Sequence, residues 1–302
     1  MKNLKKLIPM IVLVAVVLTL WGGTFFTIVM YLGGFAKADG NFRYIVKDGE
    51  ALIVEYKDLQ GIEIVTIPET MGGYPVTTVN KFGLVNTIGV KEIIIGKNLV
   101  NIFSWSFVNN GALERFIVDD ENPALKAVDG VLFTKDMETL ITYPGSRFIN
   151  EIKPNEEIAE KDKIFEYTVP DTVKNIGPQA FYKCGKLTKI TFNEGLETIG
   201  EDAFTLAVNM ENVIFPEGLK SIGVHAFNGC ANGDRKVFNQ IEIPSSVDYI
   251  GDWAFYNCSY VVSVVVYKAE ADTQGWGFKW FPTSGGDNLS VDGVTLKIEY
   301  RG

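Results

Sequence analysis

The chain has 302 residues, 22% of them charged, and a formal net charge of −9. An acid excess of this size repels nucleic acid and anionic lipid headgroups, so neither is expected as a partner of the folded part. One histidine and three cysteines leave few groups for metal or nucleophilic chemistry,.

The N-terminus opens with Lys2, Lys5 and Lys6 and continues as an uncharged, mostly apolar run from Leu7 to Phe35. Coiled as a helix the run would extend about 43 Å, beyond the ~30 Å hydrocarbon layer. It also exceeds the roughly 7–15 apolar residues of a cleavable signal. Just past it, Ala36-Lys37-Ala38 is an Ala-x-Ala cleavage candidate. Two readings therefore stand for residues 1–38: an uncleaved signal-anchor that crosses the membrane, or a signal peptide removed near Ala38. In both, the lysines stay cytoplasmic and the chain from Asp39 is extracytoplasmic, either membrane-anchored or secreted. The exported part carries 24 basic and 37 acidic residues, which favours solubility,.

From residue 62 the chain repeats itself. The phrase Ile-Gly-x-x-Ala-Phe occurs at Ile176–Phe181, Ile199–Phe204, Ile222–Phe227 and Ile250–Phe255, at spacings of 23, 23 and 28 residues. Degenerate copies stand at Val79–Leu84 and Ile102–Phe107. Ahead of each copy lies an apolar frame such as Val90-x-x-Ile93-x-Ile95, Leu113-x-x-Phe116-x-Val118 or Leu187-x-x-Ile190-x-Phe192. Its last two apolar positions alternate as a short strand does. Self-similarity at this period predicts stacked coils whose equivalent side chains pile into continuous columns. The expected architecture is a solenoid with one short parallel strand per ~23-residue coil and turns or short helical segments opposite. Eight or nine such strands would form one sheet of roughly 40 Å. The Gly of the phrase is expected to permit a sharp bend, the Ala to leave room, and the Phe to fill the core. Between about 119 and 162 the frame is interrupted, and Val128–Phe133 with Thr139–Pro144 reads as an inserted hairpin. The division that follows is 1–38 signal or anchor, 39–61 N-terminal cap strands, 62–266 repeats and 267–302 C-terminal cap.

Chemistry-bearing groups are sparse and each has a plainer reading. His225 takes the place held in other coils by Gln179, Asp202, Trp253 and Trp105, a variety that points to an exposed position without a task,. Cys184, Cys230 and Cys258 each follow the repeat Phe by three residues, where Ala207 and Asn110 stand elsewhere. They read as a column of small buried side chains, against a metal cluster or a Cys230–Cys258 bridge. Asp119-Asp120-Glu121 and Glu156-Glu157 lack calcium-loop spacing and read as solvated loop charge. Trp276 and Trp280 stand either as a carbohydrate platform or, more simply, as the lid on the last coil. No cofactor or metal is expected.

One surface column is less ordinary. Between the last two core positions of each strand, Thr66, Ile94, Ile117, Thr168, Thr191, Ile214, Glu242 and Val265 point outward. Beside them run Ile64, Glu92, Arg115, Glu166, Lys189, Asn212, Gln240 and Ser263. β-Branched residues suit any exposed sheet. The sharper expectation is that Ile94 and Ile117, flanked by Glu92 and Arg115, form an apolar spot for a partner, with Lys189, Asn212 and Ile214 farther along the same face.

The pattern resembles the BspA-like leucine-rich repeat family of bacterial and protozoan surface proteins, from about Phe42 to Tyr300. The residues that carry the resemblance are the four Ile-Gly-x-x-Ala-Phe copies, Gly73-Tyr74-Pro75-Val76-Thr77, Asp129–Phe133 and Leu140–Pro144. Phe82-Gly83-Leu84 and Ser104–Phe107 depart from the phrase. The resemblance implies N-terminal capping strands at Phe42–Tyr56, a closing segment at Tyr267–Trp280, and extracellular adhesion or recognition without a fixed set of binding residues. The expected function is non-enzymatic recognition at the cell surface. The partner is a host, matrix or envelope protein, with a glycan as second choice. The competing expectation is an exported structural or envelope-assembly scaffold with no host ligand. A hydrolase is disfavoured, because one histidine assembles no nucleophile–base pair.

Overall fold

A computed structural model describes residues 36–57, 61–147, 165–211, 213–230, 239–258, 260–281, 290–291, 294–295 and 297–302. The expected membrane or signal helix falls outside these residues. Among the described residues no helix is long and apolar enough to cross a membrane.

The predicted strands form, except at Val213–Phe215, and they pair in parallel with equivalent residues side by side. Ile64–Thr66, Glu92–Ile95 and Arg115–Val118 make one three-stranded sheet. Glu166–Thr168 pairs with Lys189–Thr191, and Gln240–Ile243 with Ser263–Val266. The continuous sheet expected along the whole array is therefore divided into three. The insertion parts the first from the second, and Val213–Phe215 takes no strand conformation between the second and third. At the far end Lys297–Tyr300 adds a strand beside Ser263–Val266, which the repeat frame did not foresee.

One strand per coil is also an underestimate. The Ile of each phrase lies in a second parallel ladder made of two-residue strands: Asn175–Ile176, Thr198–Ile199, Ser221–Ile222 and Tyr249–Ile250. Turns lie opposite the first ladder. The one helical element there among the described residues is a 3-10 turn at Glu270–Thr273.

The role expected for the glycines is corrected by their surroundings. Gly200, Gly223, Gly251 and Gly277 have ordinary backbone angles and make no bend. A Cβ on Gly223 would lie 2.6 Å from the Glu201 nitrogen and the Gly200 carbonyl carbon of the preceding coil. A Cβ on Gly251 would lie 2.3 Å from the Val224 nitrogen. Glycine is required because neighbouring backbones touch there. The bend is made two residues later, by left-handed backbone at Gln179, Asp202, His225 and Trp253 (φ 57°, 54°, 55° and 51°). A second left-handed residue follows four positions on, at Lys183, Leu206, Gly229 and Asn257. This conformation costs roughly 1–2 kcal/mol in an ordinary residue. It also aims N–H groups at the next coil: Gln179 to Glu201, Asp202 to Val224, Phe181 to Ala203 and Lys183 to Thr205.

The phenylalanine column stands as expected. Phe181, Phe204, Phe227 and Phe255 stack with centroids 4.7, 4.9 and 5.1 Å apart and planes within 9° of parallel. That interval equals the ~4.8 Å spacing of paired strands, so ring stacking and ladder hydrogen bonding share one register. The alanines beside them, Ala180, Ala203, Ala226 and Ala254, are wholly buried. Trp276 and Trp280 are buried edge to face at the end of the same core, in the role of a lid. Their segment proves to be another copy of the phrase. Gly277 donates to the Ile250 carbonyl as Gly251 does to Ile222, and Lys279 is left-handed at φ 46°.

The interruption is a three-stranded meander, Leu125–Val128, Val131–Thr134 and Thr139–Thr142, one strand more than the expected hairpin. Val131–Thr134 is buried on both faces: Leu132 packs into an N-terminal core with Phe116, and Val131 and Phe133 pack into the core of the Phe column. The inserted strand is thus a partition between two cores. Beyond it Leu140 pairs with Ile176, and Tyr143 N–H donates to Ala180 as Phe181 does to Ala203. Leu140–Tyr143 is therefore the same phrase shortened by two residues.

Candidate functional site

The register of the first sheet decides what its open face presents. Ile64, Glu92 and Arg115 stand abreast, as do Thr66, Ile94 and Ile117. Ile94 and Ile117 are thus neighbours, as the sequence predicts, with Ile94 half-buried and Ile117 41% exposed. Ile64, at 55% exposure, adds apolar surface that the sequence reading left in the polar column.

Glu92 departs from expectation. It is 7% exposed, and its carboxylate accepts a hydrogen bond from Arg115 Nε while Ile64 flanks it on the other side. A buried carboxylate held this way is a structural anchor for Arg115, not a free charge offered to a partner. Arg115 keeps 62% of its side chain in solvent.

Lys189 lies on another sheet, 3.3 Å from Glu166 of the adjacent coil. Ile214 lies beyond it at 87% exposure, where the chain fails to form a strand. A cleft of about 850 Å³ opens there, lined by Lys189, Thr191, Glu194, Glu217, Glu242 and Ile214 among others. Asn212 is outside the described residues. The six candidates that are described consequently make two separate patches, one around Ile94 and Ile117 and one around Ile214. Val265, expected on the same open column, is buried.

Ion pairs cross the coils, at repeat spacing in Lys220–Glu197 and over the interrupted coil in Lys174–Glu138. Pairs this exposed contribute little to stability. Around the histidine the geometry is tighter than the sequence suggested. Gln179 and Asp202 at the equivalent position are buried, and His225 stacks on Trp253 with centroids 5.4 Å apart and planes within 5°. Burial raises the Asp202 carboxyl above its ordinary value; Thr205 Oγ1, at 2.8 Å, and the His225 ring, whose Nδ1 is 4.0 Å from Oδ1, oppose that shift. This is column packing through left-handed residues. No sequence cue distinguishes that backbone state, since Trp, Gln, Asp and His all adopt it. The three thiols are free and buried, and burial pushes each above the usual thiol range. Among the described residues no three His, Cys, Asp or Glu side chains are grouped to hold a metal.

Residues 154–279 match the family described as BspA type leucine rich repeat region, in six copies. No curated protein matches the chain. Among solved structures, a leucine rich cell surface protein from Faecalibacterium prausnitzii is similar at 16% identity, with 88% of this chain and 95% of that one covered and a TM-score of 0.47. The pneumococcal vaccine antigen PcpA is similar at 18% identity, over 76% of this chain and 81% of that one, with a TM-score of 0.43. A leucine-rich repeat protein from Bacteroides ovatus gives 18% identity, 87% and 76% coverage and a TM-score of 0.38. All four Ile-Gly-x-x-Ala-Phe coils fall within the stretch that matches the BspA type leucine rich repeat region.

Proposed function

We propose that this is a non-enzymatic recognition protein held on, or released from, the outer side of a membrane, and that it binds a protein partner through the open face of its strands. The carrying observation is the pairing of apolar side chains with fixed charge on that face: exposed Ile64 and Ile117 and half-buried Ile94 beside the anchored Arg115. Exposed aliphatic surface rimmed by an arginine is the composition of an interface centre, where a partner's apolar side chains displace water. Export follows from the three lysines ahead of the apolar 7–35 run,.

The test uses the full-length chain in nanodiscs carrying a photo-crosslinking residue at position 117, at 214 or, as a control on the turn side, at 257. Adducts with protein from 117 or 214, and none from 257, support the reading. The Ile94→Asp/Ile117→Asp variant, with unchanged thermal melting, should reduce capture at least tenfold. Undiminished capture by that variant overturns the assignment of the face. Adducts made solely with envelope proteins or with a second copy of the chain move the reading to an assembly scaffold.

A further inference from the structure

Shortening of the interrupted coil by two residues leaves a gap in the second ladder. Asn101–Ile102 ends one sheet and Thr139–Thr142 belongs to another. The gap is a half-open cavity of about 960 Å³, a size typical of small-molecule sites. Its wall is mainly apolar, with Ile102, Phe107, Leu125, Ile141 and Tyr143 among the lining residues. Three side-chain contacts cross its mouth. Gln179 Oε1 accepts the Trp105 N–H at 3.2 Å, the Trp105 and Tyr182 rings meet at 5.4 Å, and Lys183 Nζ donates to Asn109 Oδ1 at 2.7 Å.

The formal charge of the cavity has one sign. No Asp or Glu lines it, and Lys183 is the one charged residue that does. The backbone adds donors. In regular coils the N–H groups at the places of Phe107 and Asn109 donate to the next coil, as Phe181 does to Ala203 and Lys183 to Thr205. Among the described residues the Phe107 and Asn109 N–H groups find no such acceptor, because the shortened coil no longer supplies the carbonyls. Phe107 is buried, so its unmet N–H carries a desolvation cost that an incoming acceptor would recover, while Asn109 is exposed and holds its N–H at the solvent edge,.

We propose that this notch binds a small organic monoanion, its flat apolar body against Phe107, Ile141 and Tyr143 and its carboxylate at Lys183 and the two unmet N–H groups. The apolar wall disfavours a sugar, which would leave its hydroxyls unpaired. The site is independent of the strand face and does not rest on the recognition reading.

The experiment titrates the full-length chain in nanodiscs with 1-naphthoate and with 1-naphthalenemethanol by calorimetry, empty nanodiscs serving as the blank. Naphthoate should bind saturably at one site, and the alcohol about tenfold more weakly. Lys183→Gln should weaken naphthoate about tenfold and leave the alcohol unchanged. Replacing Ile141–Tyr143 by the sequence Gly-Pro-Gln-Ala-Phe restores the full phrase and should abolish binding of both while raising Tm. Thr142→Trp, which fills the same space without lengthening the coil, gives a second test by obstruction. Absence of saturable naphthoate binding overturns the proposal, as does binding that survives both filling variants. Equal affinity of acid and alcohol, or a Lys183→Gln loss shared by both, overturns the anionic assignment.

Discussion

The two cores on either side of the inserted partition are built from the same frame by different means. In residues 165–281 each coil touches the next through glycine, and one Phe column runs through to Trp280. In residues 42–133 Asn80 and Phe103 hold the places of that glycine, and Leu84 and Phe107 those of the Phe. The N-terminal half compensates with hydrogen bonds. Ser106, standing where Ala does elsewhere, directs its hydroxyl to carbonyls of Asn80 and Phe103, and Asn110 ties its coil to Leu84 and Thr87 of the preceding one. Regular repeats add backbone contact and ring stacking to buried ties such as those of Asn193 to the Pro170 and Val173 carbonyls; irregular ones lean on the polar ties. The first mode tolerates almost no added volume, while the second depends on particular donors.

Adding a side chain between touching backbones is the hardest test of that contrast. Gly223→Val places its Cβ about where Gly200 and Glu201 backbone atoms already are. The expected loss is about 4 kcal/mol or more, since backbone cannot yield as a flexible side chain does. Because each coil is stabilised by its neighbours, the damage should spread through the C-terminal core. Gly111→Ala is the matching control, with nothing within 4 Å of the new Cβ and ordinary φ. It should shift the midpoint by no more than about 0.5 kcal/mol. Urea unfolding of both variants measures the difference, and a mild Gly223→Val effect would mean that the coils are not in backbone contact.

Removing a ring probes the columns less severely. Phe204→Ala takes the middle of the stack and should cost about 3–5 kcal/mol. Phe107 is buried too, but it packs edge to face on Phe116 and borders the notch. Its neighbourhood is already partly empty, so Phe107→Ala should cost about 2 kcal/mol. Equal losses would show that the notch closes in solution.

Periodicity made the columns legible before any coordinates. Equivalent positions in successive coils name the Phe stack, the alanines and the cysteine places. It says nothing about backbone angles, so the left-handed turns at Gln179, Asp202, His225 and Trp253 were invisible and the burial of Gln179 and Asp202 was misjudged. Strands of two residues carry no alternation to detect, which hid the second ladder. The phrase copy at Trp276–Phe281 was masked by Trp standing for Ile and Ala, although Gly277 was its cue. On the candidate face the outward column predicted the neighbours Ile94 and Ile117. Glu92's burial depends on Arg115 and Ile64 from other coils, which no reading of one strand supplies. The shortened phrase at Leu140–Tyr143 becomes recognisable through its hydrogen bonds, because its spacing is the very thing that changed.

The thiols give the gentlest probe of the C-terminal core, through pH. Cys184, Cys230 and Cys258 sit in the column and direct their sulfurs toward the carbonyls of Tyr143, Phe204 and Phe227. Burial raises all three above their value in the unfolded chain. A raised pKa means that the native state keeps the proton while the unfolded chain, titrating near 8.5, releases it. Stability is therefore fully present below about pH 8.5 and falls as pH rises beyond it, by up to about 1.4 kcal/mol per thiol for each unit. Cys184→Ala/Cys230→Ala/Cys258→Ala places at all three positions the residue that Ala207 already provides at the equivalent site. That variant should show a shallower decline in midpoint between pH 8.5 and 10, with tyrosines such as Tyr143 and Tyr167 supplying the remaining slope near the top of the range. An unchanged decline would place the thiols in contact with water, and the column they occupy would have to be looser than the phenylalanines beside it.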